Sequence, residues 1–267
     1  MAENGLESPV IGVTFDGTGF GSDGTIWGGE FLVGDYRRFR RAAHLEESLM
    51  PGGEQAIREP WRMAVSYLAG AGLECAPLET RIGGRNVQQL RRMLERRVNC
   101  PRTSSVGRLF DGISSLLGVR DRISYEGQAA IELESLAHGS DDPAHYPVVL
   151  TRNAETWIVR LGSLLEHLVG DLRKGVSKAA IARRFHRSIV EIIRVTCSRL
   201  REESGLEDVV LSGGVFMNEL LLGDSVDALC RDHFTVHRHR RVPCNDGGIC
   251  LGQLAVAAAG GGERSCA

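Results

Sequence analysis

Three short stretches combine glycines with side chains that can handle charge. The first is Asp16-Gly17-Thr18-Gly19-Phe20-Gly21, at the end of an apolar run from Val10 to Phe15. The second is Ser212-Gly213-Gly214, which closes the run Val209-Val210-Leu211 and leads to Asn218. The third is Asn245-Asp246-Gly247-Gly248, ahead of a small-residue segment from Ile249 to Ala259. Glycine lets backbone approach a ligand with no Cβ in the way, and successive N–H groups at such a corner converge on an anion. A carboxylate at the same mouth can hold a hard cation beside that anion. Asn218 falls in the first turn of a helix, where its amide can donate and accept. Singly, each stretch is also what an ordinary tight turn looks like. Together they point to one phosphate or nucleotide cleft, assisted by a metal on Asp16 and Asp246.

Weaker candidates lie between them. Thr103-Ser104-Ser105 precedes a helical pattern in which Arg108 and Asp111 share a face. Ser104 or Ser105 with Arg108 could take an anionic substrate, and Asp111 a ribose or a metal-bound water. The same spacing fits a capped helix with an i,i+3 ion pair. Ser124-Tyr125-Glu126-Gly127-Gln128 forms another loop-to-helix junction. His237 and His239 alternate on a short strand among Arg238, Arg240 and Arg241, which reads as an exposed edge.

The elements that must position these residues follow from periodicity. Val10–Phe15 and Thr25–Val33 form a hairpin with a glycine-rich first corner and a turn at Ser22-Asp23-Gly24. From Asp35 to Pro60 the chain is an irregular, charged connection whose arginines 37, 38, 40 and 41 form a solvated face. Pro60 opens a helix through Leu68. Val87, Leu90, Leu94 and Val98 mark an amphipathic helix. A short strand at Pro147–Leu150 precedes two long helices, Ala154–Lys174 and Ser177–Glu203; a strand at Phe234–His237 and the helix after Gly248 complete the set.

The 267 residues, 42% of them hydrophobic, suffice for one large domain or two lobes. A net charge of −2 gives no electrostatic case for nucleic acid or an anionic membrane. Seven cysteines without a CxxC pair fit a reducing compartment, and no apolar run approaches the ~20 residues of a membrane span. The expected location is cytoplasmic.

The strings themselves carry a resemblance. Phe15-Asp16-Gly17-Thr18-Gly19-Phe20-Gly21, Trp27-Gly28-Gly29-Glu30, Pro51-Gly52-Gly53, Ser104-Ser105-x-Gly107-Arg108-Leu109-Phe110-Asp111, Ser124-Tyr125-Glu126-Gly127-Gln128, Leu211-Ser212-Gly213-Gly214-Val215-Phe216-x-Asn218 and Asn245-Asp246-Gly247-Gly248 occur in one order. From about residue 10 to residue 258 the chain resembles the C-terminal carbamoyltransferase domain of HypF, the hydrogenase maturation protein. That domain is similar to the catalytic subunit of tRNA threonylcarbamoyladenosine synthesis and to antibiotic O-carbamoyltransferases. The resemblance implies a mixed α/β fold of the actin/Hsp70-like ATPase superfold, mainly its second half, with inserted helices. Residues 1–9 are then expected to be a disordered start and 259–267 a flexible tail.

The resemblance also implies the chemistry. Carbamoyl-adenylate, made from carbamoyl phosphate and ATP, gives its carbamoyl group to the C-terminal cysteine of a HypE-like partner, on the way to a cyanide ligand. Asp16 and Asp246 match metal-binding acids for Fe, Mg or Mn. Gly17, Thr18 and Gly19 match a phosphate loop; Gly213, Gly214 and Asn218 the adenosine side; Asp111 and Gly127 ribose and base contacts. Ser104 and Arg108 match contacts to the transferred group. The family's first half, with a metal-binding His-x-x-x-His pair, has no counterpart before Val10. The expectation is a half-fold that works with a complementary chain, the alternatives being an inactive nucleotide- or partner-binding remnant and a small-molecule O-carbamoyltransferase.

Overall fold

The computed structural model describes residues 1–260; residues 261–267 and the side chain of Pro77 lie outside that description. The fold is organised by β1 (Val10–Phe20), whose alternate residues Ile11, Val13 and Phe15 are fully buried. Gly12, Thr14 and Asp16 point to the opposite face, as the two-residue period of a strand requires. β2 (Ile26–Gly34) pairs antiparallel with β1, and β3 (Phe39–Leu45) pairs antiparallel with β2. β4 (Ser48–Leu49) and β5 (Arg102–Thr103) form a small ladder beside β2. The hairpin of β6 (Val149–Asn153) and β7 (Thr156–Arg160) extends the sheet from β3. On its other side β1 takes β8 (Asp208–Ser212) in parallel, and β8 takes β9 (Thr235–His237). The main order is thus β6-β7-β3-β2-β1-β8-β9.

The helices are α1 (Gln55–Arg58), α2 (Trp61–Gly70), α3 (Ala76–Ile82), α4 (Gly84–Arg96), α5 (Val106–Leu116), α6 (Gln128–Ala137), α7 (Gly162–Arg173), α8 (Lys178–Ser204), α9 (Glu219–Arg231) and α10 (Ile249–Ala258). Helices α5 and α8 cover the buried face of β1, and α2 packs on α5. Phe15 meets Phe31 edge-on at 5.5 Å and stacks on Phe216 at 5.6 Å; Phe110 meets Phe185 at 4.9 Å. Burying five such rings removes enough apolar surface to hold each about 2–3 kcal/mol below its exposed state. The opposite face of β1 is open except for α10 and a 3-10 turn at Ala2–Asn4. Helix α10 contains no buried residue and exposes Ile249, Leu254 and Val256. No helix among the described residues is long and apolar enough to cross a membrane.

Five sequence expectations are corrected. Residues 2–4 form a turn, not a disordered start, because the Glu3 carboxylate accepts from the Arg240 and Arg241 amides at 2.8 and 2.5 Å. Gly17 and Gly19 do not turn the corner: β1 continues to Phe20 and the turn lies at Gly21–Gly24. The connection after Asp35 contains β3, whose apolar Ala42, Ala43 and Leu45 are masked in sequence by four arginines. The first long helix starts at Gly162, not Ala154. Ala154 takes a left-handed turn (φ 51°), and Thr156-Trp157-Ile158-Val159 is the β-branched and aromatic composition of a strand. The helix expected through Val98 stops at Arg96, with Arg97 left-handed as its cap. Ser105 and Ser177 cap α5 and α8 as their types suggest, accepting from Arg108 N and Ala180 N.

Candidate functional site

Between Phe15 and Gly19 the β1–β2 register slips: Phe15 faces Gly29 and Gly19 faces Trp27. Asp16, Gly17 and Thr18 therefore oppose Gly28 alone and loop out of the ladder, the behaviour of a bulge. Two close contacts explain the glycines around this loop. A Cβ on Gly28 would meet the Asp16 carbonyl at 2.5 Å, and one on Gly107 would meet Gly17 Cα at 2.8 Å. The N-terminus of α5 thus abuts the loop, and the Ser105 hydroxyl lies 2.7 Å from both the Asp16 and Gly17 carbonyls. The Asp16 carboxylate accepts from Gly17 N at 2.7 Å.

Strand β8 delivers the second glycine pair to the same place. Gly213 (φ 105°) packs flat on the Phe15 backbone and donates to Cys244 O at 2.9 Å. A Cβ on Gly214 would lie 3.3 Å from Asp16 Oδ1 and 3.8 Å from Asn245 Cβ. Asn245 accepts from Gly247 N at 3.1 Å and fixes the turn that carries Asp246. The result is a cleft of about 450 Å³, lined by Asp16, Gly213, Cys244, Asn245 and Asp246 where parallel strands β1 and β8 end. That is where open α/β sheets bind ligands. Burial raises the Cys244 thiol above its usual range, and the neighbouring Asp16 adds to this, so the thiol stays protonated and unreactive.

Asp16, Gly213, Gly214 and Asp246 are therefore brought together, with Gly17, Thr18 and Gly19 on the adjoining loop. The other candidates are elsewhere. The Ser104 hydroxyl donates to Glu30 and accepts from Arg41 Nη2 at 3.0 Å, away from the cleft. Arg108 and Asp111 form a buried pair at 2.8 Å, the plain ion-pair reading of their spacing. Arg108 lies beneath the loop, with Nη2 3.5 Å from where a Gly17 Cβ would be. Its Nε has no hydrogen-bond partner among the described residues, so a donor is left over there. Asn218 caps α9 through Leu221 N at 2.8 Å and reaches His186 Nε2 at 3.1 Å, so both ends of its amide are used inside the fold. Gly127 (φ 77°) opens α6 and does not line the cleft.

Sequence reading missed the polar brace beside the loop. Glu30, 1% exposed, accepts from Gly28 N at 2.5 Å, Gly29 N at 2.7 Å and Arg41 Nη2 at 2.8 Å, besides Ser104. Arg41 also pairs with Asp23 at 2.9 Å and lies 4.4 Å over the Trp27 ring, so it is not part of a solvated face. The signal was the Glu in Trp-Gly-Gly-Glu: a carboxylate in the middle of an apolar strand demands buried donors. His237 and His239 are likewise engaged, on Asp208 at 2.7 Å and on Ser212 and Glu3.

Two buried groups near α5 titrate in opposite directions. Burial lowers His186 from 6.5 to about 4, against the pull of Ala182 O on Nδ1. Its folded form stays neutral, so its contribution falls by about 2 kcal/mol as pH drops from 7 to 5. Burial raises Asp111 from 3.8 to about 6, with Arg108 opposing. The folded carboxyl takes a proton first, and its contribution grows by ~1 kcal/mol over the same interval. The wild type is thus expected to lose little between pH 7 and 5. His186→Gln should gain stability on acidification and Asp111→Asn should lose it, as read by urea unfolding at both pH values. Parallel profiles for the two variants would contradict this.

Asp16 and Asp246 offer the hard oxygen donors that Mg or Mn prefers. Among the described residues, however, no group of three His, Cys, Asp or Glu side chains could hold an ion. The donors present do not complete a metal centre.

The glycine-packed loop, the two aspartates and the open sheet face share one cleft. Residues 12–253 match the family model for the carbamoyltransferase, Kae1-like domain, second subdomain. The chain belongs to this family, the carbamoyltransferases of the HypF type, whose domain has the actin/Hsp70-like ATPase fold. It is 36% identical to carbamoyltransferase HypF2 of Cupriavidus necator, aligning over 96% of this chain and 34% of that protein. It is 37% identical to carbamoyltransferase HypF of Synechocystis, over 95% and 35%. A HypF homolog of C. necator is 37% identical over 97% of this chain and 67% of its own length. Among solved structures, full-length HypF in the phosphate- and nucleotide-bound form superposes with a TM-score of 0.90 at 35% identity, covering 97% of this chain and 41% of that one. HypF of T. kodakarensis gives 0.83 at 30%, over 98% and 36%. The chain spans about a third of the length of the first two relatives.

Proposed function

We propose that the cleft holds the nucleotide part of carbamoyl-adenylate, and that the carbamoyl group passes to the C-terminal cysteine of a HypE-like partner during hydrogenase maturation. The observation that carries this is the convergence of Asp16, Gly213, Gly214 and Asp246 on one mouth, in a chain similar to a nucleotide-bound HypF. The partner's thiolate attacks the carbamoyl carbon, the bond to the adenylate oxygen breaks, and AMP leaves. Arg108, under the Gly17 loop with a free donor, offers positive charge where the departing oxygens gather. A complementary segment carrying the first subdomain finishes the site and adds the missing metal donors. Uncharged, unburied α10 beside the open sheet face supports such a segment.

Calorimetric titration with a nonhydrolysable ATP analogue, with and without Mn²⁺, tests the reading. Binding is expected, weakened about tenfold or more by Gly214→Val, whose side chain enters the space beside Asp16, and by Asp246→Ala. A folded chain that binds no nucleotide under either condition would sink the autonomous site and leave a remnant or a chain that needs its complementary segment.

A further inference from the structure

Ser212, His239 and Glu3 come from three distant parts of the chain and meet along one wall of the cleft. Ser212 is the last residue of β8, paired with Thr14 of β1, so its position is set by the rigid centre of the sheet. Its Oγ lies 3.0 Å from His239 Nε2. On the far side of the ring, Nδ1 lies 3.2 Å from Glu3 Oε2. The other Glu3 oxygen is fixed by the Arg240 and Arg241 amides, which keeps the carboxylate from turning away. Burial pushes the Glu3 carboxyl upward, but those amides and His239 outweigh it and hold it below the usual range, hence ionised. An ionised carboxylate only accepts, so Nδ1 carries the proton and Nε2 presents its lone pair to the serine hydroxyl.

This is the relation of nucleophile, base and orienting acid that activates a serine on unrelated folds. The strand-to-glycine turn after Ser212 leaves its hydroxyl at the cleft, as an attacking group needs. We propose that Ser212 is a nucleophile, with His239 as its base and Glu3 as the positioning residue, towards activated carbonyl compounds such as acyl or carbamoyl esters and mixed anhydrides. Ser212 Oγ bonds to the carbonyl carbon while its proton passes to His239 Nε2. The bond to the leaving oxygen then breaks, with that proton available to it, and leaves an O-acyl or O-carbamoyl serine. Water, deprotonated by His239, releases the acid and restores the serine. The activity goes beyond the transfer proposed above and does not depend on nucleotide binding.

A fluorophosphonate probe reads the serine directly, because it transfers phosphorus to an activated hydroxyl and needs no nucleotide. The whole chain is expected to take one adduct by intact mass, mapping to Ser212 by peptide analysis. Ser212→Ala should take none. His239→Gln should slow labelling about 100-fold and Glu3→Gln about tenfold, with circular dichroism unchanged. Ser212→Cys, which keeps a nucleophile, should react with iodoacetamide faster with His239 present than in the double variant with His239→Gln, and serves if the alanine variant unfolds. A folded wild type that takes no label, a label that survives Ser212→Ala, or a cysteine indifferent to His239 would each overturn the assignment. Loss of ATP-analogue binding, by contrast, would bear only on the nucleotide reading.

Discussion

Glu30→Ala is expected to destabilise the protein by about 4 kcal/mol, a large share of the roughly 5–15 kcal/mol that holds such a domain folded. Its carboxylate accepts at once from the Gly28 and Gly29 amides, the Ser104 hydroxyl and the Arg41 guanidinium. Removing it strands two buried N–H groups, each costing about 1–3 kcal/mol, and a guanidinium that is only 13% exposed. Asp23 still faces Arg41, so part of the charge stays compensated. Glu30→Gln keeps one acceptor and should lose roughly half as much. The informative measurement is a double-mutant cycle with Arg41→Ala by urea unfolding. Because the arginine's burial is tolerable only with Glu30 present, the double variant should fall short of the summed losses by about 2 kcal/mol. Strict additivity would show that the two side chains do not act as a unit. Trp27 emission should shift in both single variants, since Arg41 lies over its ring.

Gly213→Ala is expected to cost ~3 kcal/mol and to open the β1–β8 pairing. Two independent penalties meet there. A φ of 105° is strained for any L side chain, and the new methyl would run into the Phe15 backbone. Backbone cannot swing aside as a long side chain can, so the strands must separate or Phe15 must leave its place between Phe31 and Phe216. Gly223→Ala is the matched control. That glycine lies within α9 with nothing within 4 Å of a Cβ, so alanine should stabilise by about 0.5–1 kcal/mol. Denaturant midpoints moving in opposite directions would confirm that place, and not glycine content, decides the effect. Equal losses would refute it.

Local signals in the sequence were reliable where one residue type has one physical use. Ser105 caps its helix, the Ser-Gly-Gly turn ends a buried strand, and Asp16 and Asp246 share a mouth. The failures arose where partners are distant. Arg41 looked solvated because Glu30 and Ser104, 11 and 63 residues away, are invisible to a local pattern. Ala154–Lys174 reads as one helix until Ala154 is seen to turn left-handed and reverse the chain. Asn218 and Ser104 are polar residues beside glycine motifs, yet each hydrogen-bonds inward to buried groups that sequence does not place. His239 read as an edge residue because its two partners lie 27 and 236 residues away.

The pairing of β1 with β8 also sets a timetable for synthesis. Ile11 must find Val209, and nothing made between them can take that edge of β1 in the finished sheet. At roughly 5–20 residues per second, a ribosome needs about 10–40 s to cover the interval. During that time the β1–β2 hairpin presents an unpaired row of N–H and C=O groups flanked by Ile11, Val13 and Phe15. The nascent chain is therefore most exposed to misassociation between the emergence of β2 and that of β8, and holdase chaperones acting on the β1–β2 hairpin in that interval are the ones its yield should depend on.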